Sequence, residues 1–179
     1  GDASAQQALA RVLTMSGDTA AVATVYAEML ADPARFTDVQ LFEAGSGAAM
    51  AKRGADAARL LEAGLAKNAY HRDALYNLSN VYLMQEDASK MLPVVRRLVE
   101  VDPSNPDNWR LLAAAFQLQA KSTKDAKLKK AQQDSLLAYL EKSTKMPVRV
   151  TVASFRHSGA NHTLSGAIEN LGTATKSYD

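Results

Sequence analysis

The chain has 179 residues, a formal net charge of +2 and no cysteine. That length holds one domain with a sizeable core, or one domain plus a fragment, and the near-neutral charge speaks against both a strongly basic nucleic-acid binder and an acidic disordered tail. The absence of Cys excludes disulfides, thiol catalysis, zinc fingers and iron–sulfur clusters, and the longest apolar run, Leu111 to Phe116, is far too short to span a membrane.

The chain opens on Gly1 rather than Met, which reads as a cloning remnant and is compatible with a signal peptide removed earlier. From there to residue 147 the composition favours helix: Ala, Leu, Lys, Glu and Gln dominate. Alanine occurs 33 times against 6% aromatics, a balance that suits small residues between closely packed helices. An internal period organises this helical body. A frame of Leu75, Leu78, Tyr82, Met91, Val95, Leu98 and Pro103, shifted back by about 34 residues, lands on Leu41, Ala44, Ala48, Ala57, Leu61, Gly64 and Ala69. Shifted forward by the same step it lands on Trp109, Leu112 and Phe116. A small position holds Gly45, Ser79 and Ala113. An earlier unit shows as Ala21, Val25 and Asp32-Pro33, two residues out of frame. Pro93 falls inside a predicted helix and is expected to kink or shorten it. The last unit, Pro103 to Pro147, is longer than the period, so both of its helices are expected to extend near Lys121 to Lys130.

Past residue 147 the chain turns to Val, Thr, Ser and Gly. Val148, Val150 and Val152 alternate with Arg149, Thr151 and Ala153, a strand period. Ser158-Gly159-Ala160-Asn161 reads as a turn, His162 to Ile168 as a second strand and Thr173 to Tyr178 as a third. Two or three strands cannot bury a core of their own. They dock on the last helices, pair with a second chain, or begin a domain cut short at residue 179.

Trp109, Leu112, Ala113 and Phe116, then Leu75, Leu78, Ser79 and Tyr82 with Pro103, and more weakly Leu41, Ala44, Gly45 and Ala48, resemble the tetratricopeptide repeat family. The resemblance covers about residues 3 to 147. It implies an α-solenoid of about four helical hairpins in a right-handed superhelix, followed by a short C-terminal β-hairpin or partial sheet (residues 148–179). Leu164 to Ile168, with Asn170-Leu171-Gly172, resembles the opening strand and turn of small β-sandwich modules in bacterial envelope proteins. Small residues at Gly45, Ser79 and Ala113 would let the two helices of a unit lie close, and stacked neighbours would bury what one unit cannot.

In this family the first helix of each hairpin lines a concave groove that binds extended or helical peptides. Carried onto this chain, the groove takes Phe42, Ser46 and Met50, then Asp73, Tyr76, Asn77, Asn80 and Met84, then Asp107, Arg110, Ala114 and Gln117. Phe42, Tyr76, Asn77, Asn80, Met84 and Arg110 are the candidate binding residues: Asn hydrogen-bonds a peptide backbone in both directions, and Tyr and Met supply adaptable apolar contact. One subclass grips a terminal carboxylate with Lys and Arg. Here Phe42, Asp107 and Leu111 stand at those positions, so that clamp is absent.

Lys121 to Lys145 contains seven lysines, no Arg and a single aromatic, Tyr139, which reads as a solvated helix face rather than a patch for an acidic partner. His71, His157 and His162 lack metal-ligand spacing and read as surface residues. No nucleophile elbow, phosphate loop, paired-carboxylate signature or zinc motif is present. The expected function is non-catalytic protein or peptide binding without cofactor, metal or nucleic acid. The alternative is self-assembly, as a homodimer, through the C-terminal strands. Zero Cys, the missing Met and the β-module resemblance point to a bacterial envelope and are equally compatible with cytoplasm.

Overall fold

The computed structural model describes residues 2–146, 148–158 and 161–170. Among these residues eight α-helices come first: α1 (Ala3–Ser16), α2 (Thr19–Ala31), α3 (Asp38–Met50), α4 (Gly54–Lys67), α5 (Arg72–Met84), α6 (Ala88–Val101), α7 (Pro106–Ser122) and α8 (Ala126–Thr144), with a 3-10 turn at Pro33–Arg35 between α2 and α3. Two strands follow, β1 (Val148–Ser158) and β2 (Asn161–Asn170). The chain divides into two compact units, Gly1–Val101 and Asp102–Asp179. The first holds three helical hairpins and the second holds the fourth hairpin and the strands.

Most of the helices start where a polar side chain satisfies free backbone donors, α4 behind Arg53 being the exception. Asp2, Asp18, Asn105 and Asp125 cap α1, α2, α7 and α8 through their carboxylate or amide oxygens. Thr37 and Gln40 form a reciprocal capping box on α3. The turns inside the first three hairpins repeat as well. Gly17, Lys52 and Glu86 all adopt left-handed backbone, at φ 76°, 59° and 53°. The step from Gly17 to Lys52 is one residue longer than the step from Lys52 to Glu86. The first hairpin thus belongs to the same series, one residue out of frame at this turn.

Asp87 starts α6: its Oδ1 accepts from Ser89 Oγ at 2.6 Å and from the Lys90 backbone at 3.1 Å. These bonds hold its carboxyl below the ordinary aspartate value. Asp87→Ala should cost about 1 kcal/mol. A carboxylate whose pKa is lower folded than unfolded stabilises above its unfolded pKa and loses that contribution as pH falls through the folded one. The stability difference between wild type and Asp87→Ala should therefore be full at neutral pH and shrink below about pH 4. Urea unfolding of both chains across that range checks it.

In the first unit the core runs through the hairpins as Tyr26, Met29, Leu41, Leu61, Leu75, Leu78, Tyr82 and Met91, all buried. The small position of the repeating frame behaves as expected. A Cβ built on Gly45 would lie 2.8 Å from Leu61 Cγ and 3.2 Å from the Leu61 backbone nitrogen. Gly64 sits on the other helix of the same pair, where a Cβ would come within 3.3 Å of the Asp38 carbonyl oxygen. Glycines on both helices let α3 and α4 approach closely. Ser79 is fully buried and donates to the Leu75 carbonyl at 2.8 Å, so a hydroxyl fits without an unpaired donor.

Pro93 does not shorten its helix: α6 continues to Val101, well beyond it. The missing N–H would have met the carbonyl of Ser89 in the first turn, so a single bond near the helix start is lost. The fourth hairpin is longer than the others, as the Pro103-to-Pro147 spacing requires. Its helices have 17 and 19 residues, against 13 or 14 in α1 to α6.

The strands pair antiparallel, from Val148 opposite Asn170 to Ser158 opposite Asn161. A bulge between Val152 and Ser154 leaves Ala153 as the extra residue. The strict alternation read from Val148 onward is broken there, and Phe155 comes opposite Leu164 as Val150 comes opposite Ile168. Pro147, Gly159, Ala160, Leu171, Gly172 and the expected third strand, Thr173 to Tyr178, lie outside the described residues.

Candidate functional site

In the first unit α1 packs against α3, and α3 against α5, so the first helices of three hairpins lie side by side. Two cross-links fix their alignment. Gln7 Nε2 donates to Glu43 Oε2 between α1 and α3. Asn77 Nδ2 donates to Ser46 Oγ at 2.9 Å between α3 and α5.

The helices carry equivalent residues in three rows. Gln7, Phe42 and Tyr76 form the first; Arg11, Ser46 and Asn80 the second; Met15, Met50 and Met84 the third. Each row advances by the same two steps as the left-handed turns, the first step being one residue longer than the second. All three methionines are strongly exposed, at 82%, 77% and 79%, whereas Met29 and Met91 are fully buried. Tyr76 is 40% exposed and Phe42 half-buried. Three thioethers left in water at equivalent places form an apolar row with no core to join.

Between α1 and α3 these rows line a cleft of about 390 Å³. Its walls include Arg11, Met15, Phe42, Glu43, Ser46 and Met50. The floor is Gly47, where a Cβ would lie 3.3 Å from the Tyr26 hydroxyl, so glycine keeps the cleft open at that point. The Tyr26 hydroxyl shares a 2.7 Å hydrogen bond with Thr14 Oγ1, and burial pushes its pKa up, so it is a neutral phenol at physiological pH. Arg11 is exposed and has no ion pair among the described residues.

The sequence-derived residues fall as follows. Phe42, Tyr76, Asn77, Asn80 and Met84 all lie on α3 and α5 in the first unit. Asn77 is engaged by Ser46, and Asn80 Nδ2 donates to the Tyr76 carbonyl at 2.9 Å, which leaves its Oδ1 as an acceptor. Arg110 lies on α7 in the second unit, exposed and paired with Asp107 at 2.5 Å. Met50 is placed in the groove with its repeat; Arg11 and Met15 are not, because the first hairpin is out of frame, and Glu43 on α3 is not among the positions carried over.

Two residues read as plain surface turn out to be structural. His71 caps α5, its Nδ1 accepting from the Ala74 backbone at 3.3 Å, and its ring lies 4.7 Å from Phe42. Lys142, within the lysine-rich stretch, sits 3.6 Å over the Trp109 ring, and Lys145 pairs with Glu141. His157 and His162 are opposite one another in the β ladder. Among the described residues no group of three or more His, Cys, Asp or Glu is placed to hold a metal ion, and no helix is long and apolar enough to cross a membrane.

No protein-family model and no curated protein matches this chain. Two crystal structures of MamA, a protein containing tetratricopeptide repeats, are similar to it. Each superposes with a TM-score of 0.52 at 17% identity over 76% of this chain, and over 77% and 72% of the MamA chains. The fold is that of tetratricopeptide-like helical hairpins. At that identity the likeness speaks for the fold alone.

Proposed function

We propose that this protein is a non-catalytic scaffold that binds a protein or peptide through the groove formed by α1, α3 and α5, the first helices of the three hairpins of the first unit. The observation that carries this reading is the set of three rows on α1, α3 and α5. Packing alone does not ask for Met15, Met50 and Met84 to be apolar, because each stands in water. Tyr76 and Phe42 add aromatic contact, and Asn77 and Asn80 offer acceptors beside them. The tetratricopeptide-like fold supports the reading, since a first-helix face is where such hairpins present side chains to ligands.

The test is affinity capture from a lysate of the source organism. The intact chain is run beside a Phe42→Ala, Tyr76→Ala, Asn80→Ala variant with the same helical signal. A partner held by the intact chain and lost by the variant is the expected result, since removing one hot-spot anchor costs about 1–2 kcal/mol and three removals abolish capture. The same partner held equally by both would remove the groove from consideration.

A further inference from the structure

The three rows differ in chemistry, and their order restricts what fits over them. Residues of the first and third rows are eight apart on every helix, roughly 12 Å along the axis. Two contact rows, one holding Phe42 and Tyr76 and the other Met15, Met50 and Met84, therefore flank a polar row of Arg11, Ser46 and Asn80. An amphipathic helix laid along this face would press its single apolar stripe onto the polar row and leave those groups desolvated without partners. An extended chain matches the order instead. Its backbone N–H and C=O groups lie over the polar row, while successive side chains point to opposite sides, one to the aromatics and the next to the methionines. Helices packed roughly 8–10 Å apart put α1 and α5 within reach of about six extended residues.

Charge gives the segment a direction. Arg11 is the basic residue of the polar row and stands at its α1 end, without an ion pair among the described residues. Glu43 lines the same cleft but accepts from Gln7. At the other end Asn80 presents a neutral acceptor. We propose that α1, α3 and α5 take an extended segment of about six residues, apolar at successive positions, with an acidic residue at the end that meets Arg11. This rests on the groove reading above and names its ligand class.

The experiment uses the full chain as bait for a phage library of random linear twelve-residue peptides, and binding of the enriched peptide is then measured by fluorescence anisotropy. The expected peptides carry adjacent apolar residues and an Asp or Glu at one end. Arg11→Glu, at an exposed position, should exchange that preference for Lys or Arg while the apolar pattern stays. Met15→Ser, Met50→Ser, Met84→Ser together should weaken the peptide at least about tenfold without loss of helical signal. Enriched peptides with apolar residues at every third and fourth position would overturn the extended ligand and leave the groove reading standing. An acidic preference untouched by Arg11→Glu would overturn the charge assignment. Peptides whose binding ignores substitutions in all three rows would overturn the groove reading itself.

Discussion

Gly45→Val should destabilise the first unit by about 2–3 kcal/mol, although glycine in a helix interior is ordinarily a liability. The added Cβ would meet Leu61 at its branching carbon, 2.8 Å away, and at its backbone nitrogen, 3.2 Å away. Neither is the free end of a flexible side chain, so α3 and α4 must separate, and the contacts around buried Leu41 and Leu61 loosen with them. The gain in helix propensity is only a few tenths of a kcal/mol and does not compensate. Ser79→Ala is the matched control. Ser79 occupies the same place in the next hairpin, but its hydroxyl is bonded within its own helix, so its loss should change stability by no more than about 0.5 kcal/mol. Urea unfolding followed by circular dichroism measures both. Equal stability of Gly45→Val and wild type would mean that the close seam is not needed.

Trp109→Ala should cost about 3–5 kcal/mol, felt in the second unit. The indole is buried and its N–H donates to the Pro103 carbonyl at 2.8 Å. Tyr139 stacks 5.9 Å from Trp109 and 5.4 Å from Phe116, and Lys142 covers the indole face at 3.6 Å. Alanine leaves a large cavity between α7 and α8 and an unpaired carbonyl. Trp109→Phe keeps a ring in the stack and loses the hydrogen bond, so it should cost about 1 kcal/mol from that bond plus a smaller packing loss. Thermal unfolding of the three chains orders them wild type, Phe, Ala. An alanine variant as stable as the phenylalanine one would contradict the stacked arrangement.

The frame of core and small positions was legible because both are imposed by packing. Leu41, Leu61, Leu75 and Leu98 must be apolar to be buried, and Gly45 must be small to sit against Leu61. Such demands recur with the repeat and show in one sequence. The long fourth hairpin was legible from proline spacing for a similar reason. The proposed binding face was only partly legible. Met50 and Met84 came from carrying the family's positions over, but an exposed Met looks in sequence like a buried one, and Met91, in the same chain, is core. Met15 and Arg11 were missed because the step from the first hairpin to the second is one residue longer than the step from the second to the third. A helix tolerates that slip, since the extra residue is absorbed outside the packed stretch. The shared left-handed turn at Gly17, Lys52 and Glu86 is what aligns them, and Lys52 and Glu86 carry no sequence signal for it. Pro93 shows the converse: a strong local signal whose effect depended on lying near a helix start.

The most direct test of the proposed binding face uses the methionines themselves. The full chain, labelled with carbon-13 at its methionine methyl groups, would be titrated with the twelve-residue peptide it enriches and followed by NMR. The account predicts that the Met15, Met50 and Met84 signals move together and saturate at one ratio, while buried Met29 and Met91 stay in place. Movement confined to Met146, two residues past α8, with the three exposed methionines unchanged, would contradict it.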